Sequence, residues 1–116
     1  MNGVLLTGAQ DGGLIKWNGT SAGRPIKKHT DAIWSIERSG DDLFLTGSND
    51  GKIMVWNAQM QVTTTIDLNG KVQFMPGIRS MDVSDDGKLL VGTRGADVIE
   101  LDNNGNVSRF IVQGHF

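Results

Sequence analysis

The chain has 116 residues, a formal net charge of -2, 16 glycines and no cysteine. The lack of cysteine excludes disulfides, thiolate metal sites and cysteine nucleophiles, and the absence of a Lys and Arg cluster predicts that nucleic acid is not a partner. No apolar run reaches the roughly 18 residues of a membrane span and no signal-peptide pattern opens the chain, so we expect a cytoplasmic protein that does not bind membranes.

Short, alternating apolar runs separated by glycine predict strands from the start of the chain. The runs "VLLTG" and "LIKW" flank Asp11-Gly12, and the runs "LFLTG" and "IMVW" flank Asp50-Gly51. An Asp-Gly pair between alternating apolar runs is a strong hairpin signal. The sequence therefore predicts a β-hairpin at each of these two pairs.

The two predicted hairpins are copies of one sequence. "LTGAQDGGLIKWNG" (6–19) and "LTGSNDGKIMVWNA" (45–58) lie 39 residues apart and share Leu, Thr, Gly, Asp, Gly, Trp and Asn. A weaker copy, "LLVGTRGADVIELD" (89–102), follows and has Leu101 where the others have Trp. A period of about 40 to 45 residues with four strands per unit is typical of β-propeller blades.

The stretch "HTDAIWSIERSGDDLFLTGSNDGKIMVWN" (29–57) resembles a complete repeat of the WD-repeat β-propellers. The resemblance implies an all-β fold, a partial propeller of about 2.7 four-stranded antiparallel blades. The expected domain organisation is a partial blade at 1–28, a blade at 29–68, a blade at 69–113 and the start of a further blade at 114–116. Because an incomplete ring leaves sheets uncovered, we expect a fragment of a longer protein that self-associates.

The same resemblance implies a structural hydrogen-bond relay, in which the hairpin Asp orients a His and the chain of bonds ends on an indole N-H. The matching residues are His29, Thr46, Asp50 and Trp56, and Ser48 is an alternative to Thr46. A catalytic hydroxyl-His-Asp set or a metal site is the alternative interpretation. The spacing favours the structural role, and one His with one Asp is a poor metal site. We therefore expect no enzyme activity, no metal and no cofactor.

Trp34 and Arg79 occupy matching positions in the first strands of two predicted blades, 45 residues apart. The resemblance implies that such positions lie near the rim of the central channel. Trp and Arg are enriched in binding hot spots, so the two residues form a candidate partner-binding rim. Packing of Trp34 between blades is the alternative.

The last repeat is similar to one propeller family in particular. "GIRSMDVSDDGKLLVGTRGADVIELD" followed by "IVQGHF" resembles the repeats of the echinoderm microtubule-associated protein-like proteins. This resemblance implies a non-enzymatic scaffold that binds tubulin on cytoplasmic microtubules, although the family's upstream coiled coil and hydrophobic motif do not occur in these residues. A general WD-repeat platform in a signalling or ubiquitin-ligase complex is the alternative. A propeller enzyme or lectin would require carboxylates or His side chains converging in the channel, and the chain has only two His.

Overall fold

The computed structural model describes residues 5–39, 43–71, 76–84, 86–95, 97–102 and 105–112. These residues form twelve strands in three antiparallel sheets, and none of them belongs to a helix long and apolar enough to cross a membrane. The all-β fold class is confirmed. The strands are β1 (Leu5–Gly8), β2 (Gly13–Asn18), β3 (Ser21–Ala22), β4 (Ile26–Lys27), β5 (Ile33–Ser39), β6 (Leu43–Ser48), β7 (Lys52–Trp56), β8 (Val62–Asp67), β9 (Ile78–Val83), β10 (Leu89–Thr93), β11 (Val98–Leu101) and β12 (Val107–Val112).

Each sheet is one propeller blade. In the first blade, β1 pairs with β2, and β2 pairs on its other side with both β3 and β4, which together form a divided outer strand. The middle blade has the order β5-β6-β7-β8, and the last blade has the order β9-β10-β11-β12. The stretch 114–116, expected to open a further blade, lies outside the described residues.

Both Asp-Gly pairs form the predicted hairpins. Gly12 and Gly51 have φ angles of 90° and 84°, in the left-handed region that glycine adopts without steric cost. The preceding Asp accepts a hydrogen bond from the amide two residues ahead, 2.9 Å from Asp11 to Gly13 and 2.8 Å from Asp50 to Lys52. The turn is therefore closed by the side chain as well as by the backbone.

The core lies between the blades, because side chains on a strand alternate between its two faces. One face of the middle blade places Phe44, Met54 and Trp56 in a cluster with Leu14 of the first blade. The opposite face places Leu45 and Ile53 in a second cluster with the last blade, whose buried members there are Ile78, Met81, Leu89, Val91, Ile99 and Leu101. The middle blade is thus covered on both sides.

The Thr-Gly step of the repeat determines how closely neighbouring blades approach. A Cβ added at Gly47 would lie 2.5 Å from Cγ2 of Ile78 in the last blade, and one added at Gly8 would lie 2.6 Å from Cγ2 of Ile33 in the middle blade. The same contact therefore occurs at both blade junctions. It explains why the repeated motif contains glycine at this position.

Candidate functional site

The four residues of the predicted relay are joined in one continuous chain of hydrogen bonds. His29 Nδ1 is 2.9 Å from Asp50 Oδ2, and His29 Nε2 is 2.6 Å from Thr46 Oγ1. Trp56 Nε1 donates to the same Thr46 oxygen at 2.9 Å. The chain therefore runs from the loop before β5 through β6 to the end of β7.

One assignment of the hydrogens satisfies every group in this chain. The indole N-H of Trp56 donates to Thr46, the Thr46 hydroxyl donates to Nε2 of a neutral His29, and His29 Nδ1-H donates to Asp50. Each buried donor then has an acceptor, which matters because an unpaired buried polar group costs about 1 to 3 kcal/mol. His29, Thr46 and Trp56 are all buried.

Asp50 accepts hydrogen bonds from two backbone amides in addition to the one from His29. Its carboxylate also accepts the amides of Thr30, at 3.1 Å, and Lys52, at 2.8 Å. Burial by itself would raise the pKa of Asp50, but the hydrogen bonds from His29, Lys52 and Thr30 together outweigh it and hold the pKa below its ordinary value of 3.8. The carboxylate consequently stays ionised and fixes both the loop before β5 and the hairpin turn.

The hydrogen bonds from Asp50 through His29 to Thr46 have the order of a hydrolase catalytic triad. A substrate, however, could not reach the Thr46 hydroxyl. The Thr46 hydroxyl is fully buried and already accepts the Trp56 indole N-H, whereas a nucleophile must reach a substrate carbonyl. Nor do three His, Cys, Asp or Glu side chains converge on a metal site anywhere in the described part of the chain. This geometry favours a structural role for the relay.

Ser48, the sequence-level alternative to Thr46, has different partners. Its hydroxyl donates to the Asp31 carbonyl at 3.0 Å and accepts the Asp50 amide at 3.1 Å. Ser48 thus connects the hairpin turn to the loop before β5, beside the relay and not within it.

The candidate rim residues Trp34 and Arg79 occupy equivalent irregularities in two strands. In β5, Ile33 pairs with Ser48 and Ser35 pairs with Gly47, so that Trp34 has no partner across the ladder. In β9, Ile78 pairs with Thr93 and Ser80 pairs with Gly92, which leaves Arg79 unpaired in the same way. Each residue is the extra residue of a β-bulge, a feature that re-aims a side chain and is frequent beside functional sites.

The two bulges bring Trp34 and Arg79 together across the junction of the middle and last blades. The guanidinium carbon of Arg79 lies 4.4 Å from the centroid of the Trp34 ring, within the range of a cation–π interaction. Trp34 nevertheless remains 41% exposed. Trp34 therefore contacts the neighbouring blade and presents surface to solvent at the same time.

Three further polar residues, Asp31, Asn49 and Arg94, are joined across the same junction of the middle and last blades, and sequence reasoning missed them. Asn49 Nδ2 donates to Asp31 at 2.9 Å, and Arg94 Nη1 lies 3.4 Å from Asn49 Oδ1. Asn49 and Arg94 are separated by 45 residues, the spacing that relates Trp34 to Arg79. Each of the two residues directly follows the second strand of its blade. Their spacing of 45 residues is therefore the sequence signal that could have identified them as equivalent positions.

Comparison with known proteins agrees with this architecture. Residues 22–57 match the family described as WD domain, G-beta repeat. The fold is similar to the crystal structure of the WD40 β-propeller domain of Doa1, with a TM-score of 0.74 and 23% sequence identity over 95% of this chain. The matched region is 36% of the length of that chain.

The family match covers the residues of the complete relay, and the structural similarity covers all three blades. Residues 22–57 therefore match one WD repeat, and the fold of the chain is that of a partial WD40 β-propeller.

Proposed function

We propose that this protein is a non-enzymatic protein-binding scaffold that docks its partner on the rim formed by Trp34 and Arg79. The observation that carries the proposal is the pair of equivalent β-bulges, which place an exposed Trp and an exposed Arg side by side on two blades. A Trp and Arg pair supplies a large apolar surface together with a fixed set of N-H donors, the combination enriched in hot spots.

The relay supports this proposal by its position. Asp50 holds the amide of Thr30 and the ring of His29, and these residues precede β5, on which Trp34 lies. The chain of hydrogen bonds therefore rigidifies the loop that leads into the rim. A rigid docking surface loses less conformational entropy on binding than a mobile one.

The proposed partner is tubulin, with the protein located in the cytoplasm on microtubules. The support is the resemblance of "GIRSMDVSDDGKLLVGTRGADVIELD" to the microtubule-associated propeller family. A platform in a signalling or ubiquitin-ligase complex is the alternative, and it shares the same rim. The net charge of -2 gives no general attraction to an acidic partner, so binding would depend on local charges.

Co-elution with soluble tubulin on size exclusion with light scattering tests the partner. The chain is expected to form a stoichiometric complex that is weakened by the double substitution Trp34→Ala and Arg79→Gln. Arg24→Gln serves as the control, because it removes an exposed positive charge from the first blade. A folded chain that forms no complex with tubulin would favour the alternative platform.

We also propose that the chain self-associates through the outer faces of its first and last blades. Leu5 pairs with Trp17 on the face of the first blade that points away from the middle blade, and Leu5 is 60% exposed. The corresponding residues of the middle blade, Phe44 and Trp56, are buried by the first blade. Light scattering should give a mass that rises with concentration and falls in Leu5→Lys, and a monomer at all concentrations would contradict the proposal.

A further inference from the structure

The rim carries two positive charges, Arg79 and Arg94, that form no salt bridge with any described acidic side chain. Within the described ranges, neither Arg79 nor Arg94 lies within salt-bridge distance of an Asp or Glu carboxylate. Arg79 faces the Trp34 ring, and Arg94 Nη1 lies 3.4 Å from the Asn49 amide oxygen. Both side chains are exposed.

Both arginines are connected to one short segment of the last blade, residues 77–79. The Arg94 amide donates to the Gly77 carbonyl at 2.8 Å, and Arg79 follows Gly77 by two residues. A Cβ at Gly77 would lie 3.0 Å from Arg94 Cδ and 2.5 Å from Asn49 Oδ1. The glycine therefore lets the Arg94 side chain cross this segment towards the middle blade.

The chemistry of this arrangement is suited to carboxylates. A guanidinium offers five N-H donors in a planar fork that matches a carboxylate in two-point contacts. A guanidinium that lies over an aromatic ring retains these donors, because they lie in its own plane. The indole of Trp34 limits the movement of the Arg79 fork and adds apolar surface beside it.

The remaining charges of the rim favour a protein segment over nucleic acid. Asp31 carries the nearby negative charge and is held by the Asn49 amide and by the Ala32 amide, at 2.9 Å and 2.8 Å. Two arginines beside one carboxylate do not form the extended basic surface that a phosphate backbone requires. They are sufficient for one or two carboxylates within a peptide.

We propose that Arg79 and Arg94, together with Trp34, form a recognition site for an acidic segment of a protein partner. This inference rests on the proposed docking function of the rim, and it adds the chemical class of what the rim binds. Carboxylates of the segment are bound by the two guanidinium groups, while an apolar side chain of the segment packs on the exposed part of the Trp34 indole.

The proposal is tested by measuring the binding of a short, labelled, glutamate-rich peptide by fluorescence anisotropy. A peptide of the same length with glutamine in place of each glutamate is the comparison. We expect the glutamate peptide to bind and the glutamine peptide not to bind, with affinity that falls as salt is raised. Arg79→Gln and Arg94→Gln are each expected to weaken binding about three- to tenfold. Arg79→Lys, which keeps the charge and loses the fork, should lie between Arg79→Gln and the unmodified chain.

Arg24→Gln is the matched control, because it removes one exposed charge from another blade. The proposal is overturned if Arg24→Gln weakens binding as much as Arg79→Gln, or if the glutamine peptide binds equally well. Stronger binding of a single-stranded oligonucleotide would also overturn it. Tubulin co-elution that persists unchanged in Arg79→Gln would overturn the acidic-segment site and the contribution of Arg79 to docking, while the chain would still be a tubulin-binding scaffold.

Discussion

The middle and last blades have the same strand order but pack equivalent positions in different ways. In the middle blade, the face towards the first blade carries Phe44, Thr46, Met54 and Trp56. By strand register, the corresponding residues of the last blade are Leu89, Val91, Ile99 and Leu101, and all four are buried in the aliphatic cluster. A polar relay in one blade thus corresponds to a purely apolar surface in the other.

The members of the relay are replaced together. Thr46 and Trp56 of the middle blade correspond to Val91 and Leu101 of the last blade, whose side chains have no polar atom. Gly95 occupies the position that corresponds to Asp50. Phe74 is the residue that corresponds to His29 by the spacing of 45, and it lies outside the described residues. A buried hydrogen-bond network in which some groups lack partners is less stable than an apolar core. The middle blade therefore has the complete network, and the last blade has apolar residues in its place.

The largest loss of stability is expected from Thr46→Val, which places in the middle blade the valine found at the equivalent position, Val91, of the last blade. The substitution keeps the side-chain volume but leaves the Trp56 indole N-H without an acceptor and His29 Nε2 without a donor. We expect a loss of about 2 to 4 kcal/mol in the free energy of unfolding, measured by urea denaturation. Thr7→Val is the control, since Thr7 also accepts an indole N-H but is exposed. An equal effect of the two substitutions would contradict the role of burial.

Asp50→Ala should have the next largest effect, about 1 to 3 kcal/mol. It leaves His29 Nδ1 and the amides of Thr30 and Lys52 without their acceptor. Asp11→Ala in the first blade removes an exposed carboxylate that accepts the Gly13 amide, and it should cost less. A melting temperature unchanged by Asp50→Ala would show that the relay does not stabilise the fold.

The reverse exchange in the last blade, Val91→Thr, should cost about 1 to 2 kcal/mol. Val91 is fully buried in an apolar cluster, so the new hydroxyl would lose its contact with water. Urea denaturation again measures the change. Stability equal to that of the unmodified chain would mean that the last blade tolerates polarity without the relay.

A smaller effect is expected from pH. The pKa of Asp50 is below 3.8 in the folded chain, because the hydrogen bonds from His29, Lys52 and Thr30 outweigh the effect of burial. A lowered pKa contributes stability that is fully present above the unfolded-state value and is lost as the pH falls through the folded value. The stability difference between the unmodified chain and Asp50→Ala should therefore shrink below about pH 3.8. A difference that grows with acidity would contradict this sign.

The repeated elements could be predicted from the sequence, and the contacts between blades could not. Asp11-Gly12 and Asp50-Gly51 indicate their hairpins because glycine and the Asp side chain act within a few residues. The relay residues could be chosen from the family resemblance, but the sharing of the Thr46 oxygen by His29 and Trp56 depends on how β6, β7 and the preceding loop meet. The role of Asn49 and Arg94 depends on two blades, and neither residue has a local signal that specifies its partner.

The β-bulges separate two exposed positions from the packed framework of the blades. Trp34 and Arg79 have no cross-strand partner, whereas their neighbours Ile33 and Ile78 are paired and buried. Substitution at a bulged position changes the exposed surface without changing the strand register or the volume of the core. Successive blades can therefore carry different exposed side chains at this position, here an indole and a guanidinium, while the framework that holds them stays the same.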